Sequence, residues 1–111
     1  MKNVFQKIID GELPCNKVFE NERIIAFKDI APHAPIHILI VSKKAIPNLS
    51  QATKEDGPLL AEMLLVASDI AKQFGIEDNF RLITNNGEEA GQTVFQLHFH
   101  LLGGKVLGEL C

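Results

Sequence analysis

The residue types with the greatest chemical capacity cluster near the C-terminal end of this chain, where Gln96, His98 and His100 stand at every second position. A neutral imidazole is a competent nucleophile near neutral pH, because its unperturbed pKa is about 6.5. Alternate side chains of a β-strand share one face and lie roughly 6.5–7 Å apart. The spacing therefore predicts two imidazoles that straddle one tetrahedral phosphate group or share one metal ion.

Phosphate chemistry at this strand would proceed in a definite order. Attack of His98 on phosphorus would form a phosphohistidine-type intermediate, which divides one difficult displacement into two easier ones. His100 could donate hydrogen bonds to the non-bridging oxygens that gather charge in the transition state. The loop before the strand, residues 91–93, adds backbone N–H groups and the Thr93 hydroxyl, and glycine at position 91 lets the backbone approach a phosphate closely.

Zinc is the main alternative ligand, since H-x-H pairs also bind zinc. His37 is a possible third ligand, but no acidic or cysteine residue stands at a convincing spacing near the three histidines. Ordinary structural roles are also open to the residues outside the last strand. A histidine inside an apolar strand, as His37 is, most often forms a hydrogen bond within the core, and Asp29 at a strand end most often caps a turn.

The elements that must position these residues are predicted from hydrophobic periodicity. Residues 94–102 form the last strand, and the side chains of its other face are all apolar, namely Phe95, Leu97, Phe99 and Leu101. The β-branched run 36–42 predicts a central strand. Three further strands are expected at residues 17–20, 23–27 and 80–85.

Two helices are predicted beside this sheet. A short helix at residues 4–9 follows Asn3 as its N-cap. A long helix begins with capping residues at positions 53–56, carries an apolar stripe over residues 59–74 and ends where Gly75 supplies the C′ glycine. Hairpin-connected strands with helices packed beside them predict an α+β fold.

Composition limits the kind of protein. The 111 residues suffice for one domain, and the formal net charge of −3 argues against a binder of nucleic-acid polymers, which needs a basic face. Two cysteines, Cys15 and Cys111, do not make the disulfide framework of a small secreted domain. The N-terminus has no apolar signal region, and the longest apolar run, residues 36–41, is too short to span a bilayer. We therefore expect a cytoplasmic protein that does not contact membranes.

Residues 85–87 and 91–104 together closely resemble the signature of the histidine-triad (HIT) superfamily. Similarity in residues 4–9, 26–32 and 34–44 extends the match over nearly the whole chain. The nearest branch is the histidine triad nucleotide-binding proteins, which are small homodimeric purine nucleoside phosphoramidases. The resemblance implies one HIT domain over residues 1–111, with an antiparallel sheet, one long helix and a short N-terminal helix.

The resemblance also implies a role for each matching residue. His98 matches the nucleophile that forms a nucleotidyl-histidine intermediate, His100 matches a phosphate contact, and His37 supports the histidine cluster from the neighbouring strand. The remaining matches are nucleotide-binding: Asn85, Gly91, Gln92 and Thr93 at the phosphate and leaving group, Asp29 at the ribose hydroxyls, and Phe5, Ile8, Phe27 and Ile30 as apolar walls of the base site.

Three positions depart from the family pattern. Gln96 stands where the family has its first triad histidine, a supporting residue and not the nucleophile. Glutamine can still donate and accept hydrogen bonds but cannot carry a proton at neutral pH. Gln96 is therefore kept among the catalytic residues, with a changed rate or pH dependence expected. Asn3 and Gln6 stand where many bacterial relatives carry the C-x-x-C of a zinc site, so we expect neither a structural metal nor another cofactor.

The predicted function is cleavage of nucleoside phosphoramidates, or of related adenylated species, at the α-phosphate by a homodimeric enzyme that binds a small, purine nucleotide. The family dimer pairs the long helix and an adjacent strand across a two-fold axis, which favours a subunit contact for Leu65. Three alternatives stay open. They are a dinucleoside polyphosphate hydrolase, a nucleotide-binding protein whose catalysis has decayed, as Gln96 permits, and a zinc-binding module that uses His37, His98 and His100.

Overall fold

A computed structural model describes residues 1–110 of the chain. Its strands, in chain order, are β1 (Lys17–Glu20), β2 (Ile24–Lys28), β3 (Ile36–Ser42), β4 (Phe80–Ile83) and β5 (His98–Gly103). They form one sheet in the order β1-β2-β3-β5-β4, and every neighbouring pair is antiparallel. The α-helices are a short α1 (Val4–Ile9) and a long α2 (Gly57–Gln73). This arrangement confirms the predicted α+β class.

One face of the sheet packs against α2 and holds the larger core. Side chains alternate between faces along β3 and β5, so Ile40 pairs with Phe99 and Ile38 with Leu101 on this side. Fully burying one large aliphatic side chain contributes about 1.5–3 kcal/mol. Burial of these side chains holds the strands in this register. Because side chains alternate along a strand, the register also decides which residues point to the opposite face. The core residues contributed by the sheet and α2 include Ile24, Ala26, Ile38, Ile40, Met63, Ala67, Ile70 and Leu101.

The opposite face of the sheet carries the histidines. In the same ladder Val41 pairs with His98 and Leu39 with His100. Phe5 of α1 covers part of this face, within a smaller apolar cluster that also contains Ile25, Phe27, Leu39 and Val41. The histidines therefore lie beside the short helix and on the side of the sheet remote from α2.

Both ends of α2 follow the capping pattern predicted from the sequence. A 3-10 turn, Lys54–Asp56, precedes the helix, and the Asp56 carboxylate accepts the main-chain N–H of Thr53 at 2.9 Å. Pro58 lies in the first turn, where its missing N–H costs little. Gly75, with a φ of +72°, ends the helix in the left-handed conformation. Neither helix of residues 1–110 combines the length and hydropathy that crossing a lipid bilayer requires.

The last strand is shorter than predicted, since β5 begins at residue 98 and not at 94. The ladder stops because the N–H of Leu97 donates to the carbonyl of Ile46 at 2.7 Å and not to its cross-strand neighbour, Ser42. The Ser42 carbonyl instead accepts the Gln96 Nε2–H at 2.7 Å. Phe95, predicted on the buried apolar face, is consequently 47% exposed. The strand β4 is also shorter than predicted and ends at residue 83.

Candidate active site

A cavity of about 660 Å³ opens on the histidine-bearing face of the sheet. Its walls are α1, the loop after β2 and the loop before β5, and its floor is formed by β3 and β5. Gln92 and Gln96 are the predicted site residues that do not line it. The predicted site residues that do line it are Phe5, Ile8, Phe27, Asp29, Ile30, His37, Asn85, Gly91, Thr93, His98 and His100.

The imidazole of His98 is held in one tautomer by the main chain. Its Nδ1 lies 2.7 Å from the carbonyl oxygen of Gln96. Because a carbonyl oxygen only accepts, Nδ1 carries the proton of the neutral ring, and Nε2 keeps its lone pair. Nε2 has no protein partner, whereas every fully buried side-chain nitrogen among residues 1–110 has one. Nε2 is therefore open to the cavity as an unprotonated nucleophile.

A second chain of hydrogen bonds fixes the opposite tautomer in His100. The main-chain N–H of His33 donates to His37 Nδ1 at 3.1 Å, so the proton of neutral His37 lies on Nε2. That Nε2–H lies 2.9 Å from His100 Nδ1, which must accept it. The proton of neutral His100 is therefore on Nε2, the atom that faces away from His37.

Burial keeps these three rings neutral near pH 7. Removal from water lowers the pKa of His37 and of His98 below the ordinary imidazole value. The Asp29 carboxylate opposes this shift in both rings, and the hydrogen bond to the Gln96 carbonyl opposes it more strongly in His98. For His100, burial together with the adjacent rings of His98 and His37 lowers the pKa to about 4. Because all three rings are neutral, the tautomers deduced from the hydrogen bonds apply in the pH range where a nucleophilic imidazole is needed.

The two tautomers make His98 and His100 chemically complementary. Their ring centroids are 5.1 Å apart on the floor of the cavity. His98 offers a lone pair, and His100 offers an N–H donor. One phosphate group between them could therefore receive attack at phosphorus from His98 and a hydrogen bond at a non-bridging oxygen from His100.

The loop before β5 supplies fewer main-chain donors than predicted. The N–H groups of Gly91 and Gln92 are used within the loop, by the carbonyls of Glu88 and Gly87 at 3.0 and 3.1 Å. Thr93, by contrast, has no protein partner among residues 1–110 for its main-chain N–H or its hydroxyl. Thr93 and the Asn85 amide are thus the donors of this loop that remain open to the cavity.

Gly91 is needed in this loop because of its backbone conformation. Its φ is +99°, a value that L side chains rarely adopt, and a Cβ there would lie 3.6 Å from Asn85 Nδ2. The left-handed turn at Gly91 brings the chain back so that Asn85 and Thr93 border the same cavity.

The side chains of the two glutamines of this region, Gln92 and Gln96, bond to other parts of the protein and do not face the cavity. Gln92 is 3% exposed, and its side chain bridges the loop to the segment after β3 through the main chains of Gly87 and Pro47, both at 2.8 Å. Gln96, predicted to share a face with His98 and His100, points elsewhere because the strand starts only after it. Its side chain bonds to Asn3 and Ser42, and only its main-chain carbonyl contacts His98.

Apolar side chains form the wall of the cavity beside His98. The Phe5 ring stands edge-on to the His98 ring at 4.8 Å and to the Phe27 ring at 5.7 Å. Ile8 extends this wall along α1, and Ile30, which is 97% exposed, stands at the rim. The wall is suited to the flat face of an aromatic base, which binds by dispersion and loss of water contact.

Asp29 combines a turn with a contact to the histidine chain. Its Oδ1 accepts the N–H of Ala31 at 2.8 Å, the turn cap expected from the sequence, and Oδ2 lies 3.4 Å from His37 Nε2. Asp29, His37 and His100 thus bring three possible metal-ligand atoms within 4.8 Å of one another. His37 Nε2 and His100 Nδ1 already share a hydrogen bond, which a metal ion bound by those two atoms would have to displace. His98 does not belong to this group, so the structure does not gather the zinc set His37, His98 and His100.

Several further residues shape the site without having been predicted. Val4, Cys15, Lys28, Leu39 and Val94 line the cavity, and Leu39 could have been identified because it stands two residues from His37 on the same face. The hydroxyl of Thr84 donates to the His98 carbonyl at 2.7 Å, which ties the first residue of β5 to the end of β4. No local spacing rule indicates that contact.

Comparison with known proteins agrees with the resemblance seen in the sequence. A family model described as the HIT domain matches residues 10–107. An uncharacterized HIT-like protein from Synechocystis is 52% identical over 102 residues, covering 92% of this chain and 90% of the relative. The HIT family hydrolase from Legionella pneumophila aligns with a TM-score of 0.94 at 40% identity over 96% of each chain. The histidine triad nucleotide-binding protein from Candida albicans aligns with a TM-score of 0.80 at 30% identity, over 97% of this chain and 85% of its own. The chain belongs to the HIT family.

Proposed function

We propose that this protein hydrolyses nucleoside phosphoramidates, or related adenylated species, at the α-phosphate through a nucleotidyl intermediate on His98. The observation that carries the proposal is the pairing of tautomers, an unprotonated Nε2 on His98 beside an N–H donor on His100. Similar solved structures are named HIT family hydrolases, from Legionella pneumophila and Clostridium thermocellum, and a histidine triad nucleotide-binding protein from Candida albicans. Their names agree with a hydrolase that acts on nucleotides.

In the proposed reaction His98 Nε2 attacks phosphorus, and the phosphorus–nitrogen bond to the leaving amine breaks. The amine takes up a proton from water as it leaves. The nucleotidyl-imidazole then carries a positive charge, which the Gln96 carbonyl, 2.7 Å from Nδ1, stabilises as a hydrogen-bond acceptor. Water attacks phosphorus in the second step, releases the nucleotide and a proton, and returns His98 to its neutral form.

The charge of the cavity favours a substrate with one phosphate over a polyphosphate. Lys28 is the one lysine or arginine among the residues that line it, and its side chain is exposed. Neutral donors, on Thr93, Asn85 and His100, face the phosphate position instead. A dinucleoside polyphosphate carries several negative charges that this set of groups cannot neutralise.

The direct test is capture of the intermediate. Wild-type protein mixed with an adenosine phosphoramidate and quenched within one turnover should carry one adenylyl group on the peptide that contains His98. The attached group should be released by acid, as a phosphorus–nitrogen bond is, and should be absent from His98→Ala. Turnover with no label on any histidine, or with the label elsewhere, would contradict the proposal.

We also propose that the protein is a homodimer that pairs α2 and β4 with a second copy. Leu65 of α2 is 67% exposed and Leu64 is 47% exposed, and β4 is an edge strand whose outer hydrogen-bonding groups are open. Leu65→Glu should shift the protein to monomer in light scattering at low micromolar concentration. Leu49→Glu, at an exposed leucine outside both elements, is the matched control and should remain dimeric. A monomeric wild type, or a dimeric Leu65→Glu, would contradict this interface.

A further inference from the structure

Gln96 occupies a buried position from which both ends of its side chain reach other elements. The residue is 1% exposed and does not line the cavity. Its Oε1 accepts the Asn3 Nδ2–H at 3.1 Å, and its Nε2 donates to the Ser42 carbonyl at 2.7 Å. Its main-chain carbonyl holds His98 Nδ1. One residue therefore joins the start of α1, the end of β3 and the candidate nucleophile.

The direction of each hydrogen bond in this chain is fixed by its two ends. The main-chain N–H of Gln6 only donates, so Asn3 must present Oδ1 to it, which it does at 2.8 Å. The Asn3 amide nitrogen is then turned toward Gln96. At the other end the Ser42 carbonyl only accepts, so Gln96 must present Nε2 to it and Oε1 to Asn3. A carboxylate at either position would place two acceptors against each other.

Among the described residues, the hydrogen bond from Asn3 to Gln96 is the one that connects residues 1–13 to the rest of the chain. The other hydrogen bonds and the salt bridges of residues 1–13 stay within those residues, among them the ion pairs of Lys2 with Asp10 and Glu12. A helix of six residues is marginal alone and depends on tertiary contacts. The docking of α1 therefore depends on the apolar contacts of Phe5, Ile8 and Ile9 and on this single polar bond.

We propose that Gln96 and Asn3 are positioning residues, whose hydrogen bond holds α1, and with it Phe5, against His98 and so completes the nucleotide wall. The inference rests on the proposed function only through the role given to His98. It assigns the Gln96 side chain neither a proton transfer nor a contact with substrate. The Gln96 side chain acts through α1, and its carbonyl acts through the His98 ring.

Variants at Asn3 separate positioning from helix capping. Asp and Ser cap helices about as well as Asn, so neither Asn3→Asp nor Asn3→Ser should weaken the cap. Asn3→Asp places a carboxylate oxygen against Gln96 Oε1, and Asn3→Ser is too short to reach it. Both should raise KM by about 3- to 10-fold, the value of one lost hydrogen bond, and change kcat less. Asn3→Asp should show the larger rise.

A readout that needs no turnover is the resonance of the His98 ring. Phe5 stands edge-on to that ring, so its ring current shifts the His98 Hε1 signal, and loosening α1 should move the signal at a pH where the imidazoles are neutral. Lys2→Gln is the matched control, because it removes the local ion pairs of this segment and leaves the Asn3–Gln96 bond intact. Its spectrum and KM should match those of wild type.

A double variant distinguishes a role of Asn3 through Gln96 from a general loss of stability. Gln96→Met keeps the volume of the side chain and removes both of its hydrogen bonds. If Asn3 acts through Gln96, adding Asn3→Ser to Gln96→Met should raise KM no further. Additive effects, or Asn3 variants with an unchanged His98 signal and unchanged KM, would overturn the proposal. If the wild-type protein does not turn over phosphoramidates but Asn3→Asp still shifts the His98 signal, the proposed function is rejected and the positioning role is retained.

Discussion

His98→Ala should lower kcat/KM for a nucleoside phosphoramidate by about four orders of magnitude or more, the scale seen when an enzyme loses its nucleophile. The expectation follows from the tautomer of this ring. His98 presents an unprotonated Nε2 to the cavity, whereas both nitrogens of His37 and Nδ1 of His100 are taken up by hydrogen bonds, and Nε2 of His100 carries its proton. Neither His37 nor His100 therefore has a free lone pair with which to attack phosphorus in place of His98.

Binding should survive this substitution, which separates it from a folding defect. The apolar wall and the donors of Thr93 and Asn85 lie outside the removed ring. The dissociation constant for the nucleoside monophosphate product, measured by calorimetry, should therefore stay within a few-fold of wild type. His98→Gly with added imidazole should recover part of the turnover, because the free ring can enter the space left by the side chain. Turnover of His98→Ala within tenfold of wild type would exclude His98 as the nucleophile.

Short-range patterns were sufficient to predict the frame of this site. The alternation of residues from His98 to Leu102 placed His98 and His100 on one face, and the structure confirms it through the pairing of both with β3. The long helix was recoverable from its apolar stripe and from Gly75, because capping and periodicity act within a few residues. In each case the determining contact is local, so the sequence carries it.

The placement of Gln96 shows where local patterns stop. Extending the alternation two residues back from His98 predicted a side chain facing the cavity. The strand ends there because Leu97 bonds to Ile46, and Gln96 fills the vacated position on Ser42. Ser42 lies 54 residues before Gln96 in the sequence, and no spacing rule anticipates contacts of such long range.

The protonation pattern of the histidines was equally outside the reach of the sequence. His37 was expected to be a core histidine, a metal ligand or, from the resemblance, a support for the histidine cluster, and its Nδ1 accepts the main-chain N–H of His33 four residues earlier. That contact depends on the path of the loop between β2 and β3, which contains two prolines. The tautomer of His100, and hence its suitability as a donor, follows from it.

His100→Ala should reduce kcat by about 10²- to 10³-fold, the cost of losing one preorganised donor to a developing negative charge. The His100 Nε2–H is the imidazole donor of the cavity, and its orientation depends on His37, whose Nε2 lies 2.9 Å from His100 Nδ1. His37→Leu leaves the His100 ring in place but frees it to take the other tautomer. It should therefore cause a smaller loss, of about tenfold, in the same quantity.

The two residues should behave as one unit when both are replaced. If His37 acts only by setting the proton on His100, His37→Leu has nothing left to affect once His100 is alanine, and the double variant should be no slower than His100→Ala alone. Single-turnover measurements of adenylyl transfer to His98 give the rate of the step concerned. If the two losses multiply in the double variant, His37 has a separate effect. One such effect would act through Asp29, whose Oδ2 lies 3.4 Å from His37 Nε2. Equal rates in the double variant and His100→Ala would establish the path from the His33 main chain through His37 to the phosphate donor.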